Sequence, residues 1–445
     1  MIKYDNYKDS EIEWLGQIPE HWKIRRIKNI GSVNGRVGWK ALKANEYVDQ
    51  GYFFLSTPNI KNVNIDFVNV NYITAFRYYE SPEIMLKEGD VLLVKDGSTL
   101  GIVNVIRSLP AAGTVNSSIA VLRIKRTNSI FIYYSLLSSY IQNIIQLKKD
   151  GMGVPHLFQR DINQFNILIP PLPEQKAIAQ YLDDKTQAID KKVTLLKQKI
   201  SYYKELRKSI INKAVTKGLT PGVEMKESEI GIKIPSTWNQ FRLKDIGILY
   251  SGLSGKSGDD FNQDDNENNK SFIPFTNILA NTYISDENIG NVVVFPSEKQ
   301  NKVKVNDLFF LMSSEGYEDI GKSALLDHHL EETYLNSFCK GFRITNKSCS
   351  PAFLNYLLQS RSYRQLLSIE GKGFTRINLK MEKVSDFCVY LPNQKAEQIA
   401  IANYLDEKTT QIDSIISNIE QQIEKLKELR KTLINDVVTG KIKVA

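Results

Sequence analysis

As a pattern of apolar and polar positions, the chain holds two kinds of segment. Short runs rich in Val, Ile, Phe and Tyr come first: GYFFLST from Gly51, GDVLLVK from Gly89, LGIVNVI from Leu100 and SIAVLRI from Ser118. Such runs, bounded by polar turns, predict strands. FIYYSLLSSYIQNIIQLK, from Phe131, has helical spacing and predicts one helix ending before the turn around Gly151. Further along, FIPFTN, DLFFLMS and KGFRI predict strands, and AFLNYLLQSRSYRQLL, from Ala352, a helix. The second kind of segment is different. Ile178, Leu182, Ile189, Val193, Leu196, Ile200, Tyr203, Leu206 and Ile210 recur at three- and four-residue steps, with one full heptad between Leu182 and Ile189, the signature of an a/d seam.

The pattern occurs twice. IPEHWKIRRIKNIG, from Ile18, returns as IPSTWNQFRLKDIG, from Ile234, at an offset of 216 residues. EQKAIAQYLDDKTQAID, from Glu174, returns as EQIAIANYLDEKTTQID, from Glu397, at an offset of 223. The seam follows the same shift, as Ile401, Leu405, Ile412, Ile416, Ile419, Ile423, Leu426, Leu429 and Leu433. Between these blocks the echo is weaker: LKEGDVLLVKDGSTLG answers to VKVNDLFFLMSSEGYEDIG, and DGMGVPHLFQRDINQF to EGKGFTRINLKMEKVSDF. Internal repetition on this scale organises the fold. The expected layout is an N-terminal segment 1–17, a domain 18–172, a long helix 173–218, a linker 219–233, a second domain 234–394, a second long helix 395–440 and a tail 441–445.

A helix from Glu174 to Lys217 would be about 65 Å long, well beyond the ordinary globular length, and its apolar stripe needs a partner. The other tail, equal in length and register, supplies one within the same chain; packing of each helix on its own domain is the alternative. The fold class that follows is α+β: two tandem domains with mainly antiparallel sheets and helices, joined by two long helices pairing as an antiparallel coiled coil about a pseudo-two-fold axis.

Length and composition fit several compact units, with 445 residues, 42% hydrophobic and 24% charged. No run reaches the ~18 uninterrupted apolar residues of a membrane span, which points to a cytoplasmic protein. Cys339, Cys349 and Cys388 match neither a disulfide framework nor a zinc site. Net charge is +8, and it is uneven: residues 1–220 hold 31 Lys+Arg against 20 Asp+Glu, the remainder 27 against 30. The first half therefore favours polyanions more than the second.

Three loops combine small, hydrogen-bonding and basic residues in both copies. Lys95, Asp96, Ser98 and Thr99 are answered by Ser313 and Ser314; Asn116 and Ser117 by Asn336 and Ser337; and Lys148, Lys149, Gly151, Gly153 and His156 by Lys372, Thr375 and Arg376. Small residues admit a close ligand, Ser/Thr/Asn offer hydrogen bonds to phosphates or base edges, and Lys/Arg supply charge. With Lys40 and Lys43, these are the candidate DNA contacts; tight turns are the bland explanation of the same composition.

Other chemistry finds less support. GYEDIGKS, Gly316 to Ser323, formally matches a P-loop, but Glu315, Glu318 and Asp319 crowd it with negative charge and the first copy has no counterpart. The four histidines lack metal-ligand spacing. There is no nucleophile elbow, no dinucleotide fingerprint after a strand, and no Asn-Pro-Pro-aromatic stretch. No catalytic residue, metal site or cofactor site is expected, and DDFNQDDNENN, from Asp259, is expected to be a solvated loop turned away from phosphate.

Taken in order, the Ile-Pro-x-x-Trp openings at Ile18 and Ile234, the GDVLLVKDGSTLG loop, IPPLPEQKAIAQYLD and EQIAIANYLDEKT, and the terminal VVTGKI resemble type I restriction-modification specificity subunits over essentially the whole chain. The resemblance implies two target-recognition domains, each reading half of a bipartite site in double-stranded DNA, and helices that set the spacer. It also implies partners: two methyltransferase chains, and two ATP-driven restriction chains, with AdoMet, ATP and magnesium belonging to them. The assembled complex would carry DNA adenine methyltransferase and site-specific endonuclease activity. This chain departs from the pattern at YLPNQKAEQ, which replaces IPPLPEQ before the second helix. A nucleotide-binding enzyme built on Gly316–Ser323 and a coiled-coil adaptor without DNA contact are the competing expectations.

Overall fold

Alternation along the strand Val91–Val94 builds the first domain. Val91 and Leu93 point into one core, Leu92 and Val94 into another, and all four are fully buried. Residues two apart share a face of a strand, and a strand apolar at every position is one covered on both faces. The computed structural model, which describes residues 2–36, 42–61, 63–149, 155–261, 263 and 266–444, divides into two compact units. One is Met1–Gln198 with Ile419–Ala445, the other Lys199–Asn418.

In unit one a four-stranded antiparallel sheet runs in the order Gly31–Asn34, Ile119–Ile124, Val91–Val94, Val103–Val105. Helices Ser129–Leu137 and Ser139–Lys148 share the core of one face through Phe131, Tyr134 and Ile141. On the other face Phe53, Leu55 and Val115 come from a three-stranded sheet, Asn71–Ile73, Tyr52–Leu55, Gly113–Val115, whose last pair is parallel. Unit two repeats the plan. Its four strands run Gly247–Ser251, Cys339–Ile344, Asp307–Leu311, Ser323–Leu325, with Leu308 and Phe310 on one face and Phe309 and Leu311 on the other. Gly290–Val293, Asn269–Ile273 and Tyr334–Leu335 form its mixed sheet.

Local chemistry redraws two expected elements. The single helix expected from Phe131 is two, broken at Ser138, whose extended backbone and Oγ cap the second by accepting from the Ile141 N–H. The second copy breaks at Ser360, also extended, whose Oγ donates back to Leu357 O and does not cap the following helix. A serine can replace the lost helical bonds locally, so a break there costs little. FIPFTN is a strand only to Ile273; Pro274 cannot donate to a ladder, and Phe275–Ala280 turns helical.

The long helices are Leu172–Lys217 and Lys395–Val438, closed by Gly218 (φ +69°) and Gly440 (φ +76°) in the left-handed conformation that ends helices. Each unit contains the start of one and the end of the other. Ile178, Ala179 and Leu182 share the unit-one core with Ile434, Val437 and Val438; Ile401, Ala402 and Leu405 share the unit-two core with Ile211, Ala214 and Val215. Farther along, the helices are tied by equivalent ion pairs, Arg430 to Asp190 (3.1 Å) in unit one and Arg207 to Asp413 (3.6 Å) in unit two. Of the expected seam, Ile412, Ile416, Ile419 and Ile423 are buried, and Ile189, Val193, Leu196, Ile200, Leu206, Ile210, Leu426 and Leu433 half-buried. Leu429 is a correction: it is 52% exposed, and Arg430 takes its place on the inner face. A strict a/d count drifts against a 3.6-residue helix, and near the end the inner face has moved on by one residue.

The Ile-Pro-x-x-Trp openings are where the helices dock. Trp22 and Trp238 are fully buried, and their indole N–H groups donate to Glu174 (3.1 Å) and Glu397 (3.2 Å) at the helix starts. Farther into each helix, Asp183 accepts from Tyr134 and both arms of Arg107, while Asp406 accepts from Tyr356 and Tyr283. The repeated letters of the tails are thus the residues that fasten helix to domain.

Candidate nucleic-acid interface

The loops singled out by composition meet at one junction in each domain. In unit one the strand Val91–Val94 delivers Lys95, whose N–H donates to Ser118 O and whose carbonyl accepts from Leu157 N–H. These two bonds draw together the loops 95–101, 116–118 and 155–158. Gly97, at φ +84°, donates to Pro155 O, a backbone geometry that favours glycine. In unit two Met312 stands where Lys95 does, donating to Phe338 O and accepting from Leu379 N–H, with Ser313–Ser314 paired to Ile377–Asn378. Leu157 and Leu379 are thus equivalent, 222 residues apart as are Ser138 and Ser360, so helix and third loop together have the same length in both copies.

Within this frame the candidate residues separate into those that build and those that face outward. Lys95 is buried to 9% exposure, and its ammonium donates to Asp96 (3.1 Å), which also accepts from His156 Nδ1. Asn116 and Asn336 each use Oδ1 to accept from the N–H two residues on, Ser118 and Phe338, and so shape the turn. Ser98, Ser337, Lys372, Thr375 and Arg376 are exposed; Thr99, Ser117, Ser313 and Ser314 are half-buried. Lys148 and Lys149 are exposed at a helix end, with Lys149 donating to Gln146, and Lys43 is exposed at the turn it forms with Glu46. Lys40, Gly151 and Gly153 lie outside the described residues.

Composition missed two arrangements. In unit one the Arg160 guanidinium lies over the Phe158 ring (4.6 Å), which His156 meets at a steep angle (4.4 Å). In unit two Arg376 lies over Phe338 (4.3 Å). An arginine stacked on a ring is held flat with its N–H donors directed outward, suited to a phosphate or a guanine edge. The signal for the first was the alternation His156, Phe158, Arg160; nothing local announces the second, because Phe338 and Arg376 come from different loops.

Beneath each junction a helix residue steadies the glycine loop. Gln142 donates to Gly101 O (3.0 Å); Arg364 donates to Glu318 O (3.0 Å) and Ile320 O (2.6 Å), and burial lowers its guanidinium to about 10. The P-loop-like run is therefore structural. Lys322 is paired with Asp319 (2.7 Å), Ser323 is buried and bonded to Asn355, and a strand, not a helix, follows. Such a loop cannot present a phosphate cradle at a helix start. Among the described residues no three His, Cys, Asp or Glu side chains group as metal ligands, and no helix is long and apolar enough to cross a membrane. Cys339 and Cys349 are buried, which pushes their thiols up, Cys349 to about 12.

Two copies of one mixed-sheet domain, each presenting basic and hydrogen-bonding loops and each fastened to a long helix, define a tandem recognition protein. The profile of the type I restriction modification DNA specificity domain matches residues 19–201 and 235–425, and the chain belongs to that family: it is a DNA specificity subunit of the type I restriction-modification class. It is 25% identical to the type I restriction enzyme MjaVIII specificity subunit of Methanocaldococcus jannaschii, over 99% of this chain and 97% of that one. To the EcoKI specificity subunit of Escherichia coli it is 22% identical, over 96% and 90%. In fold it is similar to a chain of the structure described as "Structural basis underlying complex assembly and conformational transition of the type I R-M system" (TM-score 0.71, 15% identity, 96% of this chain and 99% of that one). The HsdS subunit from Thermoanaerobacter tengcongensis matches with a TM-score of 0.55 at 15% identity, over 96% and 98%.

Proposed function

We propose that the chain reads a two-part, asymmetric site in double-stranded DNA, residues 18–172 taking one half and 234–394 the other, with the helices 173–218 and 395–440 setting the spacer. The observation that carries this is the split between what the copies share and what they do not. The fastening residues Trp22/Trp238, Glu174/Glu397, Asp183/Asp406 and Arg207/Arg430 are equivalent in both, whereas the loop junctions differ in chemistry: Lys95, Asp96 and His156 in one, Met312, Ser313 and Arg376 in the other. A common scaffold with unlike loops suits two different half-sites. Ser98, Thr99, Ser117, His156 and Arg160 are the proposed contacts of the first domain; Ser313, Ser314, Ser337, Lys372, Thr375 and Arg376 those of the second.

The chain does no chemistry itself in this scheme. It recruits two methyltransferase chains, which bind AdoMet and methylate adenine, and two restriction chains, which use ATP and magnesium, and it works in the cytoplasm where the DNA is. Exchange of residues 20–170 for the same segment of another family member tests it. Methylome sequencing of cells carrying the hybrid with its methyltransferase should show one half-site changed and the other kept; a change in both halves, or in neither, refutes the division of labour.

A further inference from the structure

Phe374 is the most exposed large apolar side chain among the described residues, at 109% of its reference area. It stands at the tip of a tight loop. The stem is closed by Lys372 and Asn378, each donating its N–H to the other's carbonyl (3.0 and 2.9 Å). Gly373 has φ +145°, and a Cβ there would strike the Arg376 carbonyl; a Cβ on Gly371 would press on Ile377 (2.8 Å). Cations flank Phe374 along the chain, two residues to either side. Lys372 and Arg376 are exposed with no carboxylate within ion-pair distance among the described residues, and Glu370 at the loop base is neutralised by Lys383 (2.8 Å).

A phenylalanine cannot read base edges, having neither donor nor acceptor, but its flat face can stack on a base or part a base step once flanking cations hold the phosphates. Resting on the DNA-reading role proposed above, we infer that Phe374 is a stacking wedge of the second domain, entering the base stack of its half-site while Lys372 and Arg376 grip the backbone beside it. Duplex DNA is favoured over a protein pocket by this uncompensated positive charge.

The test uses the full chain with its methyltransferase chain and a duplex carrying the site identified by methylome sequencing. In Phe374→Trp, duplex addition should quench the added indole emission and remove its accessibility to iodide, after subtraction of the wild-type titration. Phe374→Ala should weaken duplex binding about tenfold with thermal unfolding unchanged, and Phe374→Leu should retain part of the affinity. Emission unaltered on bound duplex overturns the wedge, and shielding by the methyltransferase chain without DNA assigns the ring to a protein contact and overturns it too. If wild-type complex fails to retain the duplex, the DNA-reading role falls; if the complex retains the duplex while the introduced indole stays silent, the wedge alone falls.

Discussion

Individual residues here act mostly through others. Asp183 holds Tyr134 and Arg107 with both oxygens, and Asp406 holds two tyrosines with one. Removing the charge leaves the buried Tyr134 hydroxyl and the more exposed Arg107 guanidinium poorly satisfied, so Asp183→Asn should cost about 1–3 kcal/mol in urea unfolding, while Asp184→Asn, on the exposed side, should stay within about 0.5 kcal/mol. Equal effects would mean that the fastening network is not what couples helix to domain. His328 offers a pH-dependent counterpart. Asp327 on Nδ1 and Asp286 on Nε2 raise its pKa above the usual imidazole value. A raised folded pKa gives a contribution fully present below about 6.5, the unfolded value, and lost as pH climbs through the folded one. Thermal unfolding should therefore fall from pH 6 toward pH 8 by a component that His328→Asn abolishes; an unchanged slope in that variant would reject the assignment.

Among elements, period was legible and contact was not. The strand Val91–Val94 announced itself because four apolar residues in a row, bounded by turns, suit a strand covered on both faces. The break at Ser138 did not, because the apolar spacing runs through it and only the serine cap turns the chain. Asn116 and Asn336 were visible as candidates, yet each commits its Oδ1 to its own turn; conversely Arg376 on Phe338 joins residues whose proximity exists only once the sheets have formed. Leu429 lies one residue off the inner face of its helix, and Arg430, which stands there, pairs with Asp190. Arg430→Asp should weaken the unit, and the double variant with Asp190→Arg should recover it, with a coupling of about 0.5–1 kcal/mol in a double-mutant cycle. Additive effects would show that the pair is not formed in solution.

For the molecule as a whole, the tails were its most readable part and the loops its least. The tails repeat because helix starts and ends must fit the same sockets twice; the loops diverge because nothing in the scaffold constrains their tips, and no composition rule says which bases a tip such as Gly371–Arg376 prefers. The interchangeable sockets have an evolutionary consequence. Ile211, Ala214 and Val215 occupy in one unit the places that Ile434, Val437 and Val438 occupy in the other. A gene cut to a single copy would still encode a helix end that fits its own domain's socket on a sister chain, giving a symmetric pair that reads a palindrome. Fusion of two such genes, followed by drift in the loops alone, leads back to an asymmetric site, so new specificities can arise by recombination at the helices without redesign of the scaffold.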